Sequence, residues 1–284
     1  ASIDEAVRNA VCVGVDLDKI AGLDNFCWPD PIESEKTPDG KFKLAQLVRS
    51  NRALDDVCRA YNLPCISGKD SMKNDAMLDG QKISIPPTLL YTVLGDHQDV
   101  RKAVSSDFKD KGDAIYLLGE THQELGASEL TFMLSEETSG GIGNDVPQID
   151  TTRNLALYRA LTETMSNGLV RSAHDCSDGG LAVAIAECCF GCDGGTTINL
   201  DGIDNVDTWA ALFGESLGRI VVTVQQDDVP NFEKAMAGHC VVNIGQVGNK
   251  KTLEFTKGGE AVLTAKLGDL LKSWKGTLHM GGGE

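Results

Sequence analysis

No apolar run in this sequence is long enough to cross a bilayer as a helix. The longest candidates, such as residues 181–189, are the size of a core helix. A charged-then-apolar leader is missing too, so neither a membrane partner nor secretion is expected, and the setting reads as cytoplasmic. Positive charge is in short supply: 26 Lys and Arg face 42 Asp and Glu, a net charge of −16. That balance argues against nucleic acid or an anionic surface as partner, but leaves room for a small polyanion where Lys, Arg or Mg²⁺ offsets the field. Paired metal-ligand spacing is lacking as well. Of the 9 cysteines only Cys189-x-x-Cys192 forms a C-x-x-C, and without a second pair it is no zinc site. The thiols read as reduced and mostly buried, none of them a nucleophile. A Walker phosphate loop and a G-x-S-x-G nucleophile elbow are both absent.

What is present is the composition of a soluble globular protein, 41% hydrophobic and 24% charged, in 284 residues that could form one large domain or two ordinary ones. The chain opens at Ala1 inside an apparent helix, which reads as a fragment or a processed product.

Ala173-His174-Asp175-Cys176-Ser177-Asp178-Gly179-Gly180-Leu181 carries the most chemistry. Two carboxylates and a hydroxyl precede a Gly-Gly pair, and Ala182, Ile185, Ala186 and Cys189 follow at helical spacing. That is a loop feeding a helix N-terminus, where N–H groups and the dipole favour an anion such as phosphate. Asp175 and Asp178 would repel a bare phosphate, so a divalent cation is the natural mediator, and Mg²⁺ takes one or two carboxylates beside nucleotide phosphates. An Asp or Ser helix cap with solvated acids fits the same residues.

Along the chain, Ile3, Ala6, Val7, Ala10 and Val11 give residues 2–13 an amphipathic helical stripe. Prolines make 21–40 a long loop, and 43–61 reads as a helix with Leu44, Leu47, Val48, Leu54, Val57 and Cys58 as its apolar face. A short strand at 63–67, a polar loop over 69–82 and a strand over 88–95 follow. The composition shifts near 105–112, taken as a domain boundary, and a strand opens at 113–119. Helices at 151–168, 181–190 and 230–238 then alternate with strands near 196–200, 218–224 and 241–247. The alternation argues α/β or α+β. The Gly281-Gly282-Gly283 tail reads as disordered.

Weaker constellations surround the main one. Glu5 and Asn9 are one helical turn apart and could ligate one hard cation, although such pairs are common on exposed faces. Ser67 to Asn74 offers Lys69, Ser71 and a glycine after a strand, a phosphate loop in composition only. Gly119 to Glu129 and Gly214 to Arg219 are Gly/Ser/Glu loops, with Arg219 either an anion contact or a partner of Glu215. His97, His122, His239 and His279 are isolated and read as structural or exposed.

The order of seven segments resembles one family: Asp4-Glu-Ala-Val-Arg-Asn9, Leu23 to Pro31, Pro64-Cys-Ile-Ser-Gly-Lys-Asp-Ser-Met72, Ile85-Pro-Pro-Thr88, Glu124-Leu-Gly-Ala-Ser-Glu129, His174 to Leu181, and Leu212-Phe-Gly-Glu-Ser216. Together they are similar to phosphoribosylformylglycinamidine synthase. The resemblance implies an aminoimidazole ribonucleotide synthetase-like two-domain architecture, α/β over 1–106 with its start truncated and α+β over 107–284. It implies part of an ATP-dependent C–N ligase of purine biosynthesis, which converts formylglycinamide ribonucleotide with ATP and glutamine-derived ammonia to the amidine. The cofactors would be Mg²⁺ and ATP or ADP. A glutaminase domain or subunit would supply ammonia, and paired N-terminal domains would allow a homodimer.

Carried over by residue, Glu5, Asn9 and Asp175 match Mg²⁺ ligands, and Ser177, with Gly179 and Gly180, the nucleotide contact. Lys69, Ser71, Glu129 and Glu215 are placed in the substrate cleft. The resemblance also implies that this chain by itself is incomplete and inactive. Alternatives are a non-catalytic module that holds Mg–ADP structurally, and another enzyme of the same ATP-binding superfamily.

Overall fold

A computed structural model of the chain describes residues 1–138, 141–192 and 194–276, so the triglycine tail and His279 lie outside the described residues. The first part runs α1 (Ser2–Cys12), β1 (Ile20–Cys27), α2 (Gly40–Ala60), β2 (Cys65–Ser71), β3 (Asp75–Leu78), β4 (Gln81–Ser84) and β5 (Thr88–Gly95). β1 is the middle of a three-stranded sheet, parallel to β2 and antiparallel to β5. α2 is the crossover that the parallel pair requires.

Two sequence expectations change here. The first part of the expected 21–40 loop is β1. Gly22, Asp24 and Asn25 are poor strand formers, and the ladders on both sides supply what local propensity does not. The expected polar loop over 69–82 contains the end of β2 and the β3–β4 hairpin, which turns on Asp79 (φ 50°) and Gly80 (φ 80°). An Asp-Gly pair with both φ positive fits the twist of a two-residue hairpin.

The second part runs β6 (Ala114–Leu118), α3 (Glu129–Thr138), α4 (Thr151–Ser166), β7 (Ser172–Asp175), α5 (Gly180–Phe190), β8 (Gly195–Asn199), α6 (Thr208–Phe213), β9 (Ile220–Val224), α7 (Val229–Ala235), β10 (Val241–Lys250), β11 (Thr252–Lys257), β12 (Glu260–Lys266) and α8 (Leu267–Gly276). Its seven-stranded mixed sheet has the order β12-β11-β8-β10-β6-β9-β7. Every residue of β6 and β9 is buried, because helices cover both faces. Tyr116, Leu118 and Val222 point into a core with α1, α4 and α7, while Ile115, Leu117 and Val221 point into one with α5, α6 and α8. The mixed α/β reading of the sequence therefore describes the molecule.

α1 packs against β5 of the small sheet and β7 of the large one, so it joins the two. Its expected apolar stripe packs on the core and is widened by polar residues and Cys12. Ile3, Asp4, Val7, Arg8, Val11 and Cys12 are buried, while Ala6 and Ala10 are half-buried. On α2, Leu44 and Val48 are exposed, and only the C-terminal part of the expected apolar face, through Leu54, Val57 and Cys58, packs on the core.

Candidate functional site

β7 is the edge strand beside β9 and ends at Asp175; residues 176–179 turn the chain into α5. The turn needs its two glycines, since Gly179 (φ 76°) and Gly180 (φ 65°) are both left-handed. A Cβ at Gly180 would also meet the Gly214 carbonyl oxygen at 2.5 Å, so α5 starts hard against the 212–214 segment.

Behind the turn lies a buried polar lattice. Arg8 donates to Asp4, and Asp4 Oδ1 also accepts from Tyr61 at 2.5 Å, Tyr158 at 2.9 Å and Asn154 at 3.0 Å. Arg8 Nη2 donates onward to Ser177 Oγ at 3.0 Å and the Cys176 carbonyl at 3.4 Å. Burial alone would lower the Arg8 pKa, but Tyr158, Asp4 and Asp175 outweigh it and raise the value, so Arg8 is a fixed cation. Neither Asp4 nor Arg8 was among the sequence candidates. The available signal was their place at 4 and 8, in step with apolar 3, 7 and 11 on one helical face.

At the lattice's edge sit the expected metal ligands. Asn9 Nδ2 is 3.5 Å from Asp175 Oδ2, which also accepts from Ser177 Oγ at 2.5 Å. Burial pushes Asp175 up, but His174, Ser177 and Arg8 outweigh it and hold the carboxyl below its usual range. His174 is clamped between Asp175 Oδ1 at 3.5 Å and Glu187 Oε2 at 2.8 Å. Against its own burial these acids push it up to about 9, so at neutral pH it is an imidazolium brace rather than a free base. Glu5 is half-buried on α1, and burial, then Asp178 and Asp175, raise its pKa against the opposing pull of Arg8.

Glu215 comes to the same turn. Its Oε1 accepts from the Gly179 N–H and the Glu129 N–H, both at 2.9 Å, and so ties the starts of α5 and α3 together. The Gly180 N–H donates to the Ser177 carbonyl. The helix-start groups expected to be open to an anion are thus engaged here, and a phosphate at Gly179 would meet Glu215 already in place. Arg219 is not Glu215's ion-pair partner. Fully buried, it donates to the Gly214 and Ser216 carbonyls on either side of Glu215 and to Thr121 Oγ1 at 3.3 Å. Lys69 and Ser71 are bonded to each other at 2.6 Å on edge strand β2 of the small sheet; among the described residues no recorded bond joins them to the α5 turn.

Among the described residues no group of three His, Cys, Asp or Glu side chains is placed to hold a metal. Two carboxylates and an amide, Glu5, Asp175 and Asn9, fit Mg²⁺ only when phosphate oxygens and water complete the shell, as in a Mg–nucleotide site. The mutual repulsion of Glu5, Asp175 and Asp178 is what a cation would relieve.

The family model for the AIR synthase related protein, C-terminal domain, matches residues 110–258. The chain belongs to this family. Among solved structures, this AIR synthase related chain is similar to T. maritima PurL complexed with FGAR, at TM-score 0.68 and 17% identity over 94% of this chain and 42% of that one. Phosphoribosylformylglycinamidine synthase II from Thermotoga maritima gives 0.66 and 16%, over 94% and 40%. HypE in the HypE–HypF complex gives 0.66 and 15%, over 93% of this chain and 83% of that one. At these identities the shared property is the fold, and the chain spans about two fifths of the PurL structures. No helix among the described residues is long and apolar enough to cross a membrane.

Proposed function

We propose that this chain is the nucleotide-holding half of an ATP-dependent synthase of the phosphoribosylformylglycinamidine type, with its site between α1 and the β7–α5 turn. The observation that carries the reading is the meeting of Asn9 with Asp175 and Ser177, residues about 170 positions apart, at the start of α5, with Glu5 near enough to feel the charge of Asp178 and Asp175. Glu5, Asp175 and the Asn9 amide hold Mg²⁺; Ser177 takes a phosphate of ATP or ADP, and the Gly179–Gly180 turn joins it when Glu215 gives up the Gly179 N–H. Bound Mg²⁺ neutralises phosphate charge in a site otherwise too acidic for it. Arg8 holds Ser177 in place, and His174 and Arg8 keep Asp175 ionised.

Several neighbours support a nucleotide: PurL structures complexed with ATP, AMPPCP and ADP, and HypE in complex with ATP. The FGAR complex supports the ribonucleotide substrate, and the PurLQS structure supports partner subunits; a glutaminase domain or subunit as the source of ammonia belongs to the proposal. The division at 106/107, the placing of Glu129 and Glu215 beside the substrate, and Lys69 and Ser71 as cleft residues completed by the rest of the synthase belong to the same proposal.

Calorimetric titration of ADP and ATP, with and without Mg²⁺, tests it. Wild type should bind only with Mg²⁺, and Asp175→Ala should lose ~10–100-fold or more in affinity, the scale at which metal-site support fails. Absence of binding at millimolar nucleotide with Mg²⁺ would overturn the assignment for this chain.

A further inference from the structure

Cys58 lies near the end of α2 and Cys65 begins β2, so the intervening turn folds two thiols together. Their sulfurs are 3.8 Å apart, and the Tyr91 hydroxyl is 3.2 Å from each. Tyr91 reaches them from β5 with its hydroxyl directly over Gly22, where a Cβ would meet it at 1.9 Å. Cys58 is buried and Cys65 exposed, and both line a cleft of about 510 Å³. We propose that Cys65 and Cys58 are a thiol-modification site, a peroxide-responsive dithiol in which exposed Cys65 is oxidised first and buried Cys58 resolves it into a disulfide.

The chemistry balances. The Cys65 thiolate attacks one oxygen of hydrogen peroxide, the O–O bond breaks, and the departing hydroxide takes the thiol's proton to become water. The Cys58 sulfur then attacks the Cys65 sulfenic sulfur. The S–S bond forms, the S–O bond breaks, and hydroxide leaves with the Cys58 proton as a second water. Two thiols are oxidised and one peroxide is reduced. Burial pushes the Cys58 thiol up to about 11, which keeps it protonated until the sulfenic acid appears beside it and gives Cys65 the first step. Closing the contact to a bond of ~2.05 Å asks for side-chain rotation within the α2–β2 turn, which Tyr91 pre-aligns. The product would staple the end of α2 to the strand that carries Lys69 and Ser71.

The test is peptide mapping of the reduced chain after hydrogen peroxide and alkylation in denaturant. Trypsin separates the thiols, cutting after Arg52, Arg59 and Lys69. The expected product is a 53–59 peptide linked to a 60–69 peptide, two hydrogens lighter than the reduced pair and released by dithiothreitol. In Cys58→Ser the link should vanish and Cys65 should become trappable by a sulfenic-acid reagent. Tyr91→Phe should slow the link. Alkylatable Cys58 beside Cys65 driven to sulfinic acid in the wild type would overturn the proposal. So would a lasting mixed disulfide at Cys65 after treatment with oxidised glutathione.

Discussion

Asp4 is fully buried and accepts hydrogen bonds from Arg8, two tyrosine hydroxyls and an asparagine amide. Removing that carboxylate leaves the Arg8 guanidinium buried with Ser177, the Cys176 carbonyl, Tyr158 and an Asp175 carboxylate 3.9 Å away, having lost its bonded counter-charge, which costs more than the pair itself contributes. Asp4→Ala is expected to lose about 3–5 kcal/mol in urea unfolding, and Asp4→Ala with Arg8→Met to recover part of it. A single-variant loss below ~1 kcal/mol would mean that water or rearrangement replaces Asp4. Residue by residue, the sequence was legible where a motif set the local backbone, as at Asp175 and Ser177, which lie on the expected loop into a helix. It was illegible where polarity lay inside an apolar stripe. The spacing of Ile3, Val7 and Val11 marks a core face, and Asp4 and Arg8 belong to it because Tyr61, Asn154 and Tyr158 arrive from distant sequence to satisfy them.

Short elements depend on their ends, and α6 is the clearest example. Asp207 accepts from the Ala210 N–H at 2.8 Å and from Gln123 at 2.9 Å, capping a helix of 6 residues. The backbone bond to Ala210 is the largest of the contacts that hold its carboxyl below the usual value. A depressed folded-state pKa means that the cap's contribution is complete above the unfolded carboxylate value of ~3.9 and disappears as pH falls through the folded value. Asp207→Ala should therefore cost about 1 kcal/mol at pH 7 and progressively less in acid, read from urea midpoints across pH. A difference that stayed constant down to pH ~2 would remove the carboxylate from the explanation. At this scale the sequence was most legible where a strand is buried on both faces. The expected 113–119 and 218–224 strands are β6 and β9. β1 escaped because its pairing, not its residues, makes it a strand. The β3–β4 hairpin escaped although Asp79-Gly80 announced its turn.

The whole molecule is organised around α1, which touches both sheets and carries Glu5 and Asn9 to the β7–α5 turn. Nothing in one segment's periodicity could reveal that meeting; only the order of several motifs pointed to it. If Mg–nucleotide binds across this junction, it binds the folded chain alone and stabilises it by RT ln(1 + [L]/Kd), about 2.7 kcal/mol at a hundredfold excess over Kd. For a chain this long such an increment raises Tm by only a few degrees. The two sides of the junction should fail together: Glu5→Gln on α1 and Asp175→Asn on the turn are each expected to abolish the Mg²⁺-dependent rise. The reference Tm of Glu5→Gln should change little, because Glu5 lies outside the buried lattice. A rise retained in Glu5→Gln would confine the site to the turn and detach α1 from it. A rise with no turnover once the rest of the synthase is rejoined would favour a bracing role for the nucleotide, a role to which the Arg8–Ser177 bond lends physical sense by coupling the phosphate contact to the core.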